Sequence, residues 1–418
     1  MFEQRDDCRI CNKPDLVPVV SLGEQCVTGM FVQPDEPDPV RVPLDLVYCP
    51  HCMFLQLHHT VNSDLMYASY WYRSGTNQTM RDHLKGITHD VVVRAKLGAG
   101  DICIDTGCND GTLLKSFSVD ELVKIGFDPS NAIDDIKPEH GILPVNSYFT
   151  ADNAKQVLAG RTAKVITSIS MFYDLDEPKK FVQDIKQCLD HDGLWIVEMN
   201  YTTNMVRDLG YDMIGHEHVA YYTLLSFEKL VKAQGLHVND VTFNSINGGS
   251  IRLFVSRSDQ QSEAVAQALA AERQQDLHSV QAFADFGARI DQFRTRLRKL
   301  VKQIRGKGQR IAAYGASTRG NTVMQHCGFT RDDIYAALDR NPMKWGMEIS
   351  GCRIPIISEV EGRANPPEYM MILPYYFLDE FIKREAAYLD AGGKFIVYLP
   401  TLRIISKQDG QVIEQVID

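Results

Sequence analysis

The sequence predicts an α/β protein: a small metal-held N-terminal segment, a first parallel-sheet unit, a helical connection and a second parallel-sheet unit. Three observations predict it. Strand-like and helix-like runs alternate from 101 to 257, the pattern of parallel strands joined by crossover helices. The same alternation restarts at 311, after a long stretch of helical periodicity. Ahead of both stand two C-x-x-C pairs, Cys8 with Cys11 and Cys49 with Cys52. The divisions that follow are 1–75, 76–257, 258–308 and 309–418.

A chain of 418 residues has room for two to four domains, each with its own core. Its net charge of −10 argues against nucleic acid or an anionic membrane as the main partner, while leaving room for a local basic pocket. No apolar run approaches a membrane span, and the acidic start, Met1 to Cys8, has no secretory pattern, so a cytoplasmic address is expected. Disulfides are then not expected among the ten cysteines. Each C-x-x-C pair can offer two thiolates from one tight turn. Together they fill a tetrahedral zinc ion and leave no open position, so a structural metal is expected, with Cys26 and His51 as spare candidates for the fourth ligand. The following patch, with Tyr67, Tyr70 and Tyr72, suits either a pocket wall or a domain junction.

In the first α/β unit the run 104–114 reads as a strand, a glycine turn and a helix. Gly107 and Gly111 let a ligand approach the backbone, while Asp105, Asn109 and Asp110 crowd the turn with acceptors. Such a loop repels phosphate, and it matches neither G-x-G-x-x-G nor the P-loop pattern. It suits a cationic ligand such as S-adenosylmethionine. Asp128, after the apolar run 123–127, stands where a carboxylate meets ribose hydroxyls in doubly wound folds. Strands at 102–105, 123–127, 165–168 and 193–199 would place Gly107, Asp128, Ser170 and Glu198 on one rim.

The stretch 215–222 should sit over that rim and carry the chemistry. It gathers His216, Glu217, His218, Tyr221 and Tyr222, and Ala220 breaks the H-E-x-x-H zinc pattern, so acid–base work is favoured over metal catalysis. Asn247 and two glycines precede the strand that carries Arg252. Residues 258–306 read as helical with a basic, solvated end. The second unit opens with a glycine turn between Tyr314 and Asn321 that carries Arg319, a candidate to hold a phosphate or diphosphate, and Arg340 leaves its next strand.

In this order the motifs resemble those of the bacterial C-methyltransferases that act on nucleotide-linked 4-keto-deoxysugars. The resemblance spans nearly the whole chain. It rests on the C-x-x-C pairs, Asn-Asp-Gly-Thr-Leu-Leu from Asn109, His216-Glu217-His218 followed by tyrosine, Gly-Gly-Ser-x-Arg ending at Arg252, Tyr-Gly-Ala-x-x-x-Gly-Asn-Thr from Tyr314, and Asp-Arg-Asn-Pro from Asp339. It implies zinc at Cys8, Cys11, Cys49 and Cys52, and S-adenosylmethionine in a class I, Rossmann-like methyltransferase domain. It implies a second Rossmann-like domain and a nucleotide-sugar reached by both, through Tyr70, Asn247, Arg252, Tyr314, Arg319, Asn321 and Arg340. It also implies His218 as the base, Glu217 and His216 beside it, and a methylated carbon next to the ketone, expected to be carbon 3. A tyrosine among Tyr67, Tyr70, Tyr72, Tyr221 and Tyr222, with Tyr222 and Tyr72 foremost, or a neighbouring histidine would stabilise the enolate oxygen, and the protein would be a monomer. The chain departs from the pattern at Gly215, Asp174 and Asn247, where the resemblance leads one to expect Tyr, His and His. Methylation of oxygen or nitrogen on a similar substrate, and a catalytically silent donor-binding protein, are the alternatives.

Overall fold

The computed structural model describes residues 2–62, 66 and 72–417; Tyr67 and Tyr70 lie outside the described residues. The central sheet has seven strands in the order His237–Asn244, Ser250–Ser256, Leu189–Asn200, Ala163–Ile169, Ile102–Thr106, Val123–Phe127 and Ile142–Val145. The five from Leu189–Asn200 to Ile142–Val145 run parallel, and Ser250–Ser256 is antiparallel to both its neighbours. In chain order within this unit the sequence is 6-7-5-4-1-2-3, so the order reverses beside the first strand. Ligands bind outside the carboxyl ends of strands at such a switch. Val123–Phe127 pairs in register with Ile102–Thr106, Phe127 opposite Thr106, which sets Asp128 beside the glycine turn.

Helix Gln78–Ala95 caps this domain, its first turn closed by the Asn77 side chain, which accepts from Thr79 N, and buries Met80, Leu84, Ile87 and Val91 at helical spacing. On the other face Trp195, Phe172, Phe181 and Phe227 form an aromatic cluster with ring centroids 5.3–6.4 Å apart.

The C-terminal sheet has nine strands. Its parallel core runs Lys394–Val397, Tyr369–Ile372, Ile311–Tyr314, Ala337–Asp339 and Ile354–Ser358. Its switch point lies beside Ile311–Tyr314, the kind of rim where ligands bind in open α/β sheets. One edge carries the hairpin Arg403–Gln408 and Gln411–Val416. The other ends in Glu348–Ile349 and, beyond it, Phe31–Val32 from the N-terminal part of the chain.

The N-terminal unit holds a four-stranded sheet of Val17–Cys26, Arg41–Cys49, Phe54–Leu57 and Ala220–Tyr221, and a two-stranded ribbon of Phe2–Gln4 and His59–Val61. The last strand of the four comes from the first α/β unit and follows the His-Glu-His turn directly. Domains cut at 1–75, 76–257, 258–308 and 309–418 therefore exchange strands in two places. The connection is two helices, Glu263–Gln274 and Val280–Gly306. The second buries Phe286, Ile290, Phe293, Leu297, Leu300 and Ile304 and leaves Arg296, Arg298, Lys299 and Lys302 exposed. Gly287 lets it lie against the first N-terminal strand, since a Cβ there would stand 3.0 Å from Val19 O. Among the described residues no helix is long and apolar enough to cross a membrane.

Candidate active site

The two rims face one cavity of about 1490 Å³, lined by the first glycine turn, the His-Glu-His turn and the second glycine turn. Ligand pockets usually span roughly 300–1,000 Å³, so this space suits two ligands side by side.

At the first rim the turn is left-handed at Gly107 (φ 87°), Asn109 (φ 51°) and Gly111 (φ 75°). Gly107 N and Cys108 N both donate to Phe127 O at 2.7 and 2.9 Å, which fastens the turn to the second strand. Asp128 is oriented by Asn109 N and Ser130 N, each at 2.8 Å. Asp105 lies beneath it, where burial pushes its carboxyl up to about 7 against the hydroxyl of Thr167, which donates to it at 2.6 Å. Ser170, with φ 55°, anchors its N–H on Glu198 O and borders the same space. Asp110 and Gly111 turn away. Asp110 accepts from Gly75 N at 2.8 Å and Thr112 Oγ1 at 2.6 Å, and Gly111 packs on Ile136. Asn109 also ties down the strap before helix Gln78–Ala95, donating to Tyr72 O and accepting from Ser74 N. Tyr72 is thereby held at the cavity wall.

At the centre His218 Nδ1 donates to Met213 O at 2.7 Å. Only an N–H can serve a carbonyl, so the imidazole carries its proton on Nδ1 and presents the Nε2 lone pair. Burial pulls the His218 pKa down to about 4, which keeps it neutral. The Glu217 Oε1 atom stands 3.7 Å from Nε2, and burial pushes that carboxyl up to about 7. Tyr173 packs edge-on against the His218 ring, with centroids 4.5 Å apart. Its burial raises its pKa well above the usual phenol value, so it remains an O–H donor. All three line the cavity, and so do Asp174 and Asn200. Among the described residues the buried Asn200 Oδ1 has no hydrogen-bond partner.

His216 does not reach it. Its Nδ1 accepts from Thr28 N at 3.2 Å and its Nε2 donates to Val42 O at 3.1 Å, so both ring nitrogens staple the turn to the N-terminal sheet. Tyr222 is also turned inward, against Phe54, Phe172 and Phe227, and Tyr221 is fully buried in the strand that joins the N-terminal sheet. Gly215 allows this close seating, since a Cβ there would lie 3.2 Å from Thr28 Oγ1.

At the second rim Gly315 (φ 85°), Ser317 and Thr318 open helix Thr318–Cys327, with Ala316 N donating to Asp339 Oδ2 at 2.8 Å. Lys344 reaches over this turn to Ala316 O at 2.8 Å, with Asp339 at 3.5 Å and the Phe31 ring below. Arg319, Arg340 and Asn247 also border the cavity. Three other residues expected at the substrate lie elsewhere. Tyr314 binds Glu385 and Arg384 on the far side of the sheet, Asn321 donates to Ser350 in the core, and Arg252 pairs with Glu198 at 2.8 Å.

Sequence reasoning missed Tyr173, Lys344 and Asn200. Tyr173 was within reach, because it follows the fourth strand on the rim that holds Ser170.

Apart from the cavity, Cys8, Cys11, Cys49 and Cys52 bring their sulfurs within 4.8 Å of one another, Cys11 and Cys49 at 3.7 Å. A zinc ion with bonds of about 2.3 Å needs sulfurs about 3.8 Å apart, so the cluster fits a tetrahedral site. Cys26 is buried elsewhere, its N–H bonded to Gln325, and His51 pairs with Asp15.

This fold, with an acidic glycine turn and a ribose-type carboxylate at its rim, is that of an S-adenosylmethionine-dependent methyltransferase. Three protein families match the chain in succession: a zinc binding domain at 8–67, a methyltransferase domain at 79–241 and a C-methyltransferase C-terminal domain at 245–400. The C-methyltransferase NovU of Streptomyces niveus is 29% identical over 409 residues, covering 96% of this chain and 97% of the relative. In this three-domain order the chain is similar to the C-methyltransferases; it is an S-adenosylmethionine-dependent methyltransferase with a structural zinc, which the cluster of Cys8, Cys11, Cys49 and Cys52 fits. Similar solved structures include an S-adenosylmethionine-dependent methyltransferase from Clostridium acetobutylicum (14% identity, TM-score 0.33, 44% of this chain and 92% of that one). Another is magnesium protoporphyrin IX methyltransferase from Synechocystis with bound S-adenosylhomocysteine (13%, TM-score 0.35, 44% and 89%).

Proposed function

We propose that the protein methylates the carbon beside the ketone of a nucleoside-diphosphate-linked 4-keto-deoxysugar. The observation that carries this reading is the continuity of one cavity from Asp128, past His218 and Tyr173, to Lys344 and Arg340. A donor at one rim and a long, anionic-tailed acceptor at the other would meet at the imidazole. When bound, S-adenosylmethionine supplies an electrophilic methyl group, which only an electron-rich atom can take. The residues at the centre suit the making of a carbanion. His218 Nε2 removes the proton next to the ketone, and the Met213 carbonyl holds the opposite N–H and stabilises the imidazolium that forms. Ionised Glu217 adds to that stabilisation through space. The neutral Tyr173 hydroxyl donates to the enolate oxygen, the role for which Tyr222 is turned the wrong way. Asp128 takes the donor's ribose, and Asp105 keeps the turn attractive to a cation. Lys344, Arg340 and the N–H groups opening helix Thr318–Cys327 receive the diphosphate.

Product NMR tests this reading. A methyl group bonded to the carbon adjacent to the ketone is expected, and a new O–CH3 or N–CH3 signal would reject it.

A further inference from the structure

Arg319 borders the cavity, yet its hydrogen-bond donors point away from any anion there. Its Nε and Nη2 form a fork on Asp212, each at 3.0 Å, and its Nη1 donates to Asn247 O. The Tyr376 ring covers it at 5.0 Å. The Asp212 side chain is fully buried and the Arg319 side chain 11% exposed, so the pair is shielded from solvent and the guanidinium charge is neutralised where it stands.

The partners matter more than the pair. Asp212 lies in the short helix Tyr211–Met213 of the methyltransferase domain, while Arg319 belongs to helix Thr318–Cys327 of the C-terminal domain. One turn further along that helix, Thr322 Oγ1 donates to Ile214 O at 2.9 Å. Residues 212 and 214 are thus gripped by the first and second turns of one helix. Between them sits Met213, whose carbonyl holds His218 Nδ1 at 2.7 Å.

We propose that Arg319 is a positioning residue that acts from the C-terminal domain, through Asp212 and Met213, to fix the tautomer and direction of His218. The base is then assembled only when the two large domains are seated together. This rests on the reading of His218 as the base, and the test separates the two.

Three variants are compared with wild type: Arg319→Lys, which keeps the charge and loses the fork; Asp212→Asn, which keeps the shape and loses the charge; and Thr322→Val, which removes the second grip. Folding is checked by S-adenosylmethionine binding, and Thr322→Val carries the test if the buried pair cannot be altered without unfolding. In 15N-histidine NMR spectra, assigned by difference with His218→Asn, wild type should show His218 protonated at Nδ1. The variants should lose or shift that signal. Each should lower kcat by roughly 10- to 100-fold with KM for the nucleotide-sugar within about threefold, the scale of a misplaced catalytic group, and the Arg319/Asp212 double variant should be no worse than the poorer single one. A changed His218 signal with unchanged kcat would uphold the positioning and remove His218 as the base. An unchanged signal in all folded variants would overturn the proposal, as would a KM raised tenfold or more in Arg319→Lys with kcat unchanged, which is the behaviour of an anion ligand.

Discussion

The turn at 215–218 has two faces, and its two histidines divide between them. His216 meets the N-terminal sheet with both ring nitrogens bonded, to Thr28 and Val42. His218 meets the cavity with one nitrogen bonded and one presented. Burial pulls both down to about 4, so neither burial nor basicity tells them apart. What separates a staple from a base is the number of ring nitrogens left for a substrate. Glu217, between them, follows the second pattern, with its carboxylate at the cavity and His218 3.7 Å away.

The sharpest way to break this contrast is to remove each imidazole in turn. His218→Asn should lower kcat by about two to four orders of magnitude, the usual contribution of a general base, with donor binding retained. His216→Asn should leave kcat within a few-fold and lower stability by about 1–3 kcal/mol, the cost of leaving buried polar partners unsatisfied. Steady-state kinetics and thermal melts read both. Equal losses of kcat would erase the distinction.

Glu217 adds a pH dependence. Because folding raises its carboxyl from the ordinary range to about 7, the folded chain holds an extra proton between those values. Stability from this group is therefore greatest at low pH and is lost as pH rises through about 7. Glu217→Gln should stabilise the protein by about 2–3 kcal/mol above pH 7 and little below pH 4.5. It should also remove an acid limb near pH 7 from the kcat profile, where protonation of wild-type Glu217 withdraws support from the imidazolium. Melting curves with the same pH slope in both proteins would contradict this.

The two glycine turns extend the comparison to the ligands. Asp128→Ala should weaken S-adenosylmethionine by about 1–3 kcal/mol in calorimetry, the range for a hydrogen bond to a charged group, without altering KM for the sugar. Cys49→Ser should release the zinc, seen by elemental analysis, and destabilise the N-terminal sheet, leaving the donor affinity of the folded protein close to wild type. The smallest effect belongs to Lys344→Ala, whose ammonium is shared with Ala316 O and Asp339. It should raise KM for the nucleotide-sugar several-fold and leave donor binding unchanged, since it removes one charge–phosphate contact at the C-terminal rim.

Much of the molecule could be read from local pattern. The paired cysteines, the acidic turn, Asp128 after its strand and the apolar stripe of Val280–Gly306 each depend on residues close in sequence. Two short strands were harder. Ile142–Val145, at the edge of its sheet, and Ile354–Ser358, paired on both sides, contain Pro144 and Pro355, which interrupt a strand pattern. The exchanged strands Phe31–Val32 and Ala220–Tyr221 are two residues each, too short for any periodicity, and depend on partners far along the chain. The same distance hid the sites. Nothing near His216 announces Val42, and nothing near Arg319 announces Asp212. A residue type at the right rim can be read from the sequence; whether its donors are already engaged cannot.

The most direct test of His218 as the base is exchange of the substrate proton with solvent. In heavy water, with the 4-keto nucleotide-sugar and S-adenosylhomocysteine in place of the donor, wild type and His216→Asn should wash deuterium into the carbon that is later methylated. His218→Asn should not. Deuterium entering that carbon at the wild-type rate in His218→Asn would place the base elsewhere.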